Sequence, residues 1–354
     1  MLKRTKALLS LVLAAVMLSS CGAKGSSSES ESSSSAETVT TTKAVVTLPQ
    51  DSSSGDQSSQ DDENKEPSEI TPAMWKITAD NGNEIYFIGS MHALKDECYP
   101  LPDRVMDAYN KSDVVACEMD MYGFTQNLSL QLKVANEYSM YSDKDETIEQ
   151  HFSAETCENV KGYLDETLGK GTYDIYKHYK PWMVASQCEN AVTKACGFDI
   201  YLALDLKITE MAFNDGKEIY EVEGESQFDM ISSIPDEAYD IKLADYSPEN
   251  IELIKEQNNA LYDIWKTGDI KAFEELFNGV EGDTGKEYTQ EQLKILDEYN
   301  HMILIDRNVV MADAAEKLLK DHKNTFFMVG LAHFINDDGI LALLEKRGYK
   351  VETI

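Results

Sequence analysis

One short arrangement occurs near both ends of the sequence, and it limits the fold more than any other feature. Near the N-terminal end, Ile85-Tyr86-Phe87-Ile88 is an apolar strand followed by Gly89-Ser90-Met91-His92. A helix comes next, with Pro102 and Asp103 in its first turn and Val105, Met106 and Tyr109 at helical spacing. A second apolar strand, Val114-Val115-Ala116-Cys117, then ends at Glu118. Near the C-terminal end, Phe326-Phe327-Met328-Val329 is followed by Gly330-Leu331-Ala332-His333, a helix over 339–346, the stop residue Gly348 and a last strand from Tyr349. Each end therefore reads strand, Gly-x-x-His, helix, strand. Such a βαβ unit needs parallel strands and a crossover. The expected fold is α/β, with a mixed, mostly parallel sheet assembled from the two units. Ligand sites in such sheets lie beyond the carboxyl ends of the strands. His92 and His333 fall there, and Glu118 closes the partner strand of the first unit. If these strands are neighbours, three coordinating side chains converge on one edge.

The rest of the domain fits around that frame. The β-like runs 74–79 and 84–88 flank Asp80-Asn81-Gly82-Asn83, a hairpin signal. The middle, 125–322, is expected to be helical, covering the sheet and walling a cleft. Helices are predicted over 153–168, 181–194, 200–213, 248–266 and 290–320, with a short strand over 218–222. Asp337 and Asp338 stand where they would cap the last helix. His151, His178, His301 and His322 are read as surface residues. Tyr173, Tyr176 and Tyr179 are read as an aromatic cluster near Trp182.

The first twenty residues are a separate object. Lys3, Arg4 and Lys6 precede an apolar run of about a dozen residues over 7–18, too short for a bilayer that needs ~20. Leu18-Ser19-Ser20-Cys21-Gly22 then resembles the lipobox of bacterial lipoproteins. The resemblance implies a signal peptide over 1–20, cleavage before Cys21 and lipid attachment to its thiol. Residues 21–72, rich in Ser and Glu, have little to bury and read as a disordered tether; the folded domain is 73–354. Localisation is expected to be extracytoplasmic, on a bacterial cell envelope, with the membrane engaged only through the lipid anchor.

Charge narrows the partners. The chain carries 32 Lys+Arg against 64 Asp+Glu, a formal net charge of -32. Nucleic-acid binding requires basic residues against phosphate, so it is excluded. The acidic surface favours neutral or basic substrates through steering. The cysteines after Cys21 are Cys98, Cys117, Cys157, Cys188 and Cys196. They are odd in number and form no C-x-x-C, so no disulfide framework is implied, with Cys188–Cys196 the one candidate pair. Cys117 lies in an apolar run and reads as a buried small hydrophobe.

Two histidines and a carboxylate with open positions form a known catalytic grouping for Zn, Fe(II) or Mn. A divalent ion there lowers the pKa of bound water to ~7 and polarises a carbonyl. A single G-x-x-H is a weak signal; its repetition in equivalent positions is the stronger one. Residues 87–120 resemble the opening block of the TraB/GumN family, and residues 326–354 resemble its closing block. Between them, Lys180-Pro181-Trp182-Met183, Gly197-Phe198-Asp199, Glu223 with Gln227, and Asp306-Arg307-Asn308 before Met311-Ala312 resemble internal family motifs. The resemblance implies an erythromycin-esterase-like fold and kinship with the TIKI proteins, which are membrane-tethered metalloproteases. It implies His92, His333 and Glu118 as metal ligands or catalytic groups, with Mn or Co favoured. It also implies Arg307 as a polar group facing the cleft, suited to a substrate carboxylate or oxyanion. The chain lacks H-E-x-x-H, so it is no ordinary zincin.

The expectation is a surface-anchored, metal-dependent hydrolase, peptidase-like, using Mn, Co or Zn on a peptide or small-molecule substrate. Two alternatives stand beside it. One is a non-catalytic lipoprotein that binds haem or a small ligand through its histidines. The other is metal-free ester hydrolysis with a histidine as general base.

Overall fold

A computed structural model describes residues 66–279, 288–321 and 323–354. The signal segment 1–20, Cys21, most of the tether and His322 lie outside the described residues. Among the described residues, no helix is long and apolar enough to cross a membrane.

Six strands make one sheet: β1 (Met74–Thr78), β2 (Glu84–Ser90), β3 (Val114–Cys117), β4 (Glu218–Glu221), β5 (Thr325–Gly330) and β6 (Val351–Thr353). Their spatial order is β4-β3-β5-β2-β1-β6. The first four in that order pair in parallel, whereas β1 runs antiparallel to both β2 and β6. The mixed, mostly parallel α/β sheet expected from the sequence is thus present. The Asn-Gly hairpin joins β1 to β2, with Gly82 at φ 89° supplying the left-handed residue of the turn. Strands β2, β3 and β5 are buried along nearly their whole length, as sandwiched parallel strands must be. The edge strand β4 is half exposed.

The two strands of each βαβ unit are parallel, as expected, but not adjacent. Strand β5 lies between β2 and β3, and β6 sits beyond β1, separated from β5 by β2 and β1. The units interleave because β2 and β5 match over six residues, from Ile85 against Thr325 to Ser90 against Gly330. Both are apolar on both faces, so pairing them at the sheet centre removes the most surface from water. The ends of β3, β5 and β2, which lead to Glu118, His333 and His92, therefore lie side by side with β5 in the middle.

The predicted helices 153–168 and 181–194 occur as Ala154–Thr167 and Pro181–Ala195. The stretches predicted over 200–213 and 248–266 each open with a 3-10 turn, Ile200–Leu202 and Pro248–Asn250. They continue as the helices Leu204–Asp215 and Ile251–Thr267. The long 290–320 helix divides into Gln290–Asn300 and Asp306–Lys320 around a π-helical turn, His301–Ile305. All five described cysteines are free. A Cys188–Cys196 bridge is ruled out by helix geometry: eight residues at ~1.5 Å rise put them ~12 Å apart, beyond disulfide reach. The last helix, Ile340–Lys346, has no side-chain cap from Asp337 or Asp338.

Candidate functional site

The loop after β2 carries His92, and hydrogen bonds across the chain place it. Leu94 and Asp199 exchange both backbone hydrogen bonds, at 3.2 and 2.8 Å, and Leu204 N donates to Met91 O at 3.2 Å. That lacing brings the first turn of helix Leu204–Asp215 against His92. Asp205 Oδ2 then lies 2.5 Å from His92 Nδ1. The carboxylate only accepts, so Nδ1 carries the proton and Nε2 is the free ring nitrogen.

His333 sits in the 3-10 turn Leu331–Phe334 that follows β5, and it is 2% exposed. Asn308 Nδ2 donates to Asp338 O at 2.9 Å, which turns Asn308 Oδ1 towards His333 Nδ1, 2.7 Å away. His333 therefore also carries its proton on Nδ1 and presents Nε2 inward, 3.8 Å from Glu118 Oε1. Asp338 thus serves the site through its carbonyl rather than through its carboxylate.

Glu118 is the hub. Its Oε1 accepts from Gly330 N at 2.8 Å, and its Oε2 accepts from Arg307 Nη2 at 2.6 Å and Gln227 Nε2 at 3.0 Å. Arg307 reaches Glu223 as well, Nε to Oε1 and Nη2 to Oε2, both 2.7 Å. Its Nη1 donates to Ile303 O within the π-helical turn at 3.0 Å. Turns of this kind recur at functional sites, and here one aims Arg307. Arg307 is 4% exposed, so its guanidinium is engaged by the two glutamates. Glu223 reaches the site because Glu223 N and Gly224 N both donate to Glu118 O.

The glycines of the two motifs have distinct tasks. A Cβ on Gly89 would lie 2.4 Å from Leu331 Cδ1 and 2.9 Å from its Cα, so only glycine permits the approach of the two motifs. A Cβ on Gly330 would stand 3.5 Å from Glu118 Oε1, 3.7 Å from His333 Cδ2 and 3.8 Å from His92 Nε2. The three groups singled out in the sequence are thus gathered around one α-carbon.

Burial and charge set the ionisation. Burial lowers His92, but Asp205 and then Glu118 outweigh it, so its pKa is raised. His333 has no such carboxylate on Nδ1; burial and the Arg307 charge push it down to about 3, and it is neutral at pH 7. Burial works to raise Glu118, but Arg307 and the two histidines hold it below the usual carboxylate range. Burial prevails at Glu223 over the pull of Arg307 and raises it. Environments that push paired groups apart in this way separate acid from base roles.

A recess of about 20 Å³ opens beside this cluster, bordered by Ser90, His92, Glu118, Asp205 and Gln227, with Met119 and Met121 on its apolar side. The donors expected for a metal, two imidazoles and Glu118, come together. Even so, no group of three His, Cys, Asp or Glu side chains among the described residues is disposed as a ready ion cage. Glu118 is already engaged by Arg307, Gln227 and Gly330. Of the other histidines, His151 lies between Glu146 and Asp236 away from the site, and His301 is exposed.

Sequence reading assigned no role to Asp205, Asn308, Glu223 and Gln227. The last three stood inside family-like motifs. Asp205 had a different signal: an acid between Leu204 and Leu206 on a face that is buried, where a carboxylate needs a partner.

No curated protein and no solved structure matches the chain. The profile of the TraB/PrgY/gumN family matches residues 73–353, the whole of the sheet and its helical cover. The chain belongs to the TraB/PrgY/gumN family.

Proposed function

We propose that the chain is a hydrolase acting through the His92–His333–Glu118 centre, peptidase-like, on a peptide or small-molecule substrate. The observation that carries this reading is the matched orientation of the two imidazoles. Each is tied through Nδ1 to a fixed acceptor, Asp205 or Asn308, and each offers Nε2 beside Glu118. Metal-binding histidines are oriented in the same way. The buried cluster also sets two carboxylates, Glu118 and Glu223, against the one Arg307 guanidinium, and a third, Asp205, against His92. On this reading His92 and His333 hold a divalent ion of the Mn, Co or Zn class, with Glu118 as third ligand or base. The ion would supply an activated water and a polarised carbonyl. Arg307 holds Glu118 and Glu223 in place rather than reaching into the cleft.

A second reading is favoured by the His92–Asp205 pair itself. A histidine backed by a carboxylate is equipped to take a proton from water as general base without an ion. The haem alternative loses ground, since a recess of about 20 Å³ does not admit a macrocycle. We further propose that Cys21 is lipidated and that the domain works outside the cytoplasmic membrane, on a tether.

Cleavage of a fluorogenic peptide library by the purified protein tests the function. Wild type is expected to cleave members of the library, with His92→Ala and His333→Ala inactive but folded. Activity abolished by a chelator and restored by Mn or Co supports the ion. Activity that persists with a chelator and requires Asp205 supports the second reading. Full activity in either histidine variant contradicts both.

A further inference from the structure

Ser90 is the last residue of β2, two positions before His92. Its side chain is 4% exposed, and its Oγ makes no hydrogen bond among the described residues. Buried hydroxyls are normally paired, and leaving one unpaired costs ~1–3 kcal/mol. The polar side chains that share the recess are paired with other groups. Asp205 Oδ2 is engaged by His92 and Oδ1 by Leu206 N; Gln227 Nε2 faces Glu118 and Glu223.

The recess shared with His92, Glu118, Asp205 and Gln227 is bordered by Ser90. Its volume of about 20 Å³ exceeds the ~10–15 Å³ that one water needs. A water there also needs two to four polar partners. Ser90 is paired in register with Gly330, the residue around which His92 Nε2 and Glu118 Oε1 are gathered. The strand end is held firmly, because Trp265 Nε1 donates to Gly89 O at 2.8 Å. The backbone of Ser90 is therefore held beside the centre.

We propose that Ser90 is a catalytic residue of this centre: its Oγ hydrogen-bonds the water that attacks the substrate and holds it in the recess next to His92. The water-holding part stands on the recess and the orphaned hydroxyl alone; the catalytic part rests on the hydrolase reading.

Two measurements on the full chain test it. In a high-resolution crystal structure, an ordered water within ~3.2 Å of Ser90 Oγ is expected in wild type. It should disappear in Ser90→Ala and persist in Ser90→Thr, which keeps the hydroxyl. With a peptide cleaved from the fluorogenic library, Ser90→Ala should lower kcat ~10–100-fold with KM within about twofold, and Ser90→Thr should recover most of the loss. A wild-type map with Ser90 Oγ turned onto a protein partner and no water overturns the proposal. So does wild-type kcat in Ser90→Ala. If no peptide is cleaved by wild type, the hydrolase reading fails, and the solvent map still decides whether Ser90 holds a water.

Discussion

Asp205 Oδ2 lies 2.5 Å from His92 Nδ1, across 113 residues of sequence. The contact joins a helix of the middle region to the loop after the second strand and fixes which nitrogen of His92 is free. Replacing the carboxylate by an amide should break that assignment. Asp205→Asn is expected to shift His92 towards the Nε2–H tautomer, visible as exchanged ring-nitrogen shifts in 15N NMR. Activity should fall by two orders of magnitude or more, as expected when a base loses its correct tautomer. Unchanged ring-nitrogen shifts in the variant would show that Asp205 does not orient His92.

Arg307 neutralises two buried glutamates at once. Arg307→Met removes that charge and leaves Glu118 and Glu223 facing each other, 7% exposed in the case of Glu118. Losing one partner of a buried ion pair costs ~3–5 kcal/mol. Denaturant unfolding should report a loss of that size for Arg307→Met, and much of it should be recovered when Glu223→Gln is added. A loss below ~1 kcal/mol would mean that the pair is solvated in solution.

The two motif glycines should behave differently. Gly89→Ala forces a Cβ to 2.4 Å from Leu331, against a backbone atom at 2.9 Å, and is expected to lower stability strongly. Gly330→Ala meets only ordinary contacts of 3.5–3.8 Å and should fold with an unchanged midpoint. Its methyl group occupies the space between Glu118, His333 and His92, so ligand binding and activity should be lost. Thermal melts paired with a peptide-cleavage assay check both; an active Gly330→Ala protein would place the reaction elsewhere.

Glu189 tests the same physics away from the site. It is buried on helix Pro181–Ala195, and its Oε2 has no hydrogen-bond partner among the described residues. Burial, only partly offset by Lys242, raises its pKa well above 4.5. The folded state therefore binds its proton more tightly than the unfolded state. The contribution of Glu189 to stability is largest below about 4.5 and falls as pH rises towards the raised folded value. Glu189→Gln should thus stabilise the protein relative to wild type more at pH 8 than at pH 5. Thermal melts across that range would contradict the account if the gain shrank as pH rose.

Much of the site was legible in the sequence because its parts are short and local. Gly89 to His92 and Gly330 to His333 each leave a strand at its carboxyl end, and Glu118 does the same. A chain that pairs those strands must bring the three together. What escaped reading depends on contacts distant in sequence. The insertion of β5 between β2 and β3 joins strands from opposite ends of the domain. Asp205 meets His92 beside the Leu94–Asp199 bridge, and Asn308 meets His333 just past the π-helical turn, both through contacts distant in sequence. That turn interrupts a stretch, 290–320, whose pattern reads as one continuous helix. Cys188 and Cys196 illustrate the converse: once both stand on one helical segment, a bridge between them is geometrically closed.

The most direct test of the central claim is calorimetric titration of the purified protein with Mn, Co and Zn, alongside the double variant His92→Ala/His333→Ala. Near-stoichiometric binding of at least one ion to wild type is expected, with its loss in the variant and the fold intact by circular dichroism. Binding no stronger in wild type than in the variant would contradict an ion at this centre and leave His92 and Asp205 to act on water alone.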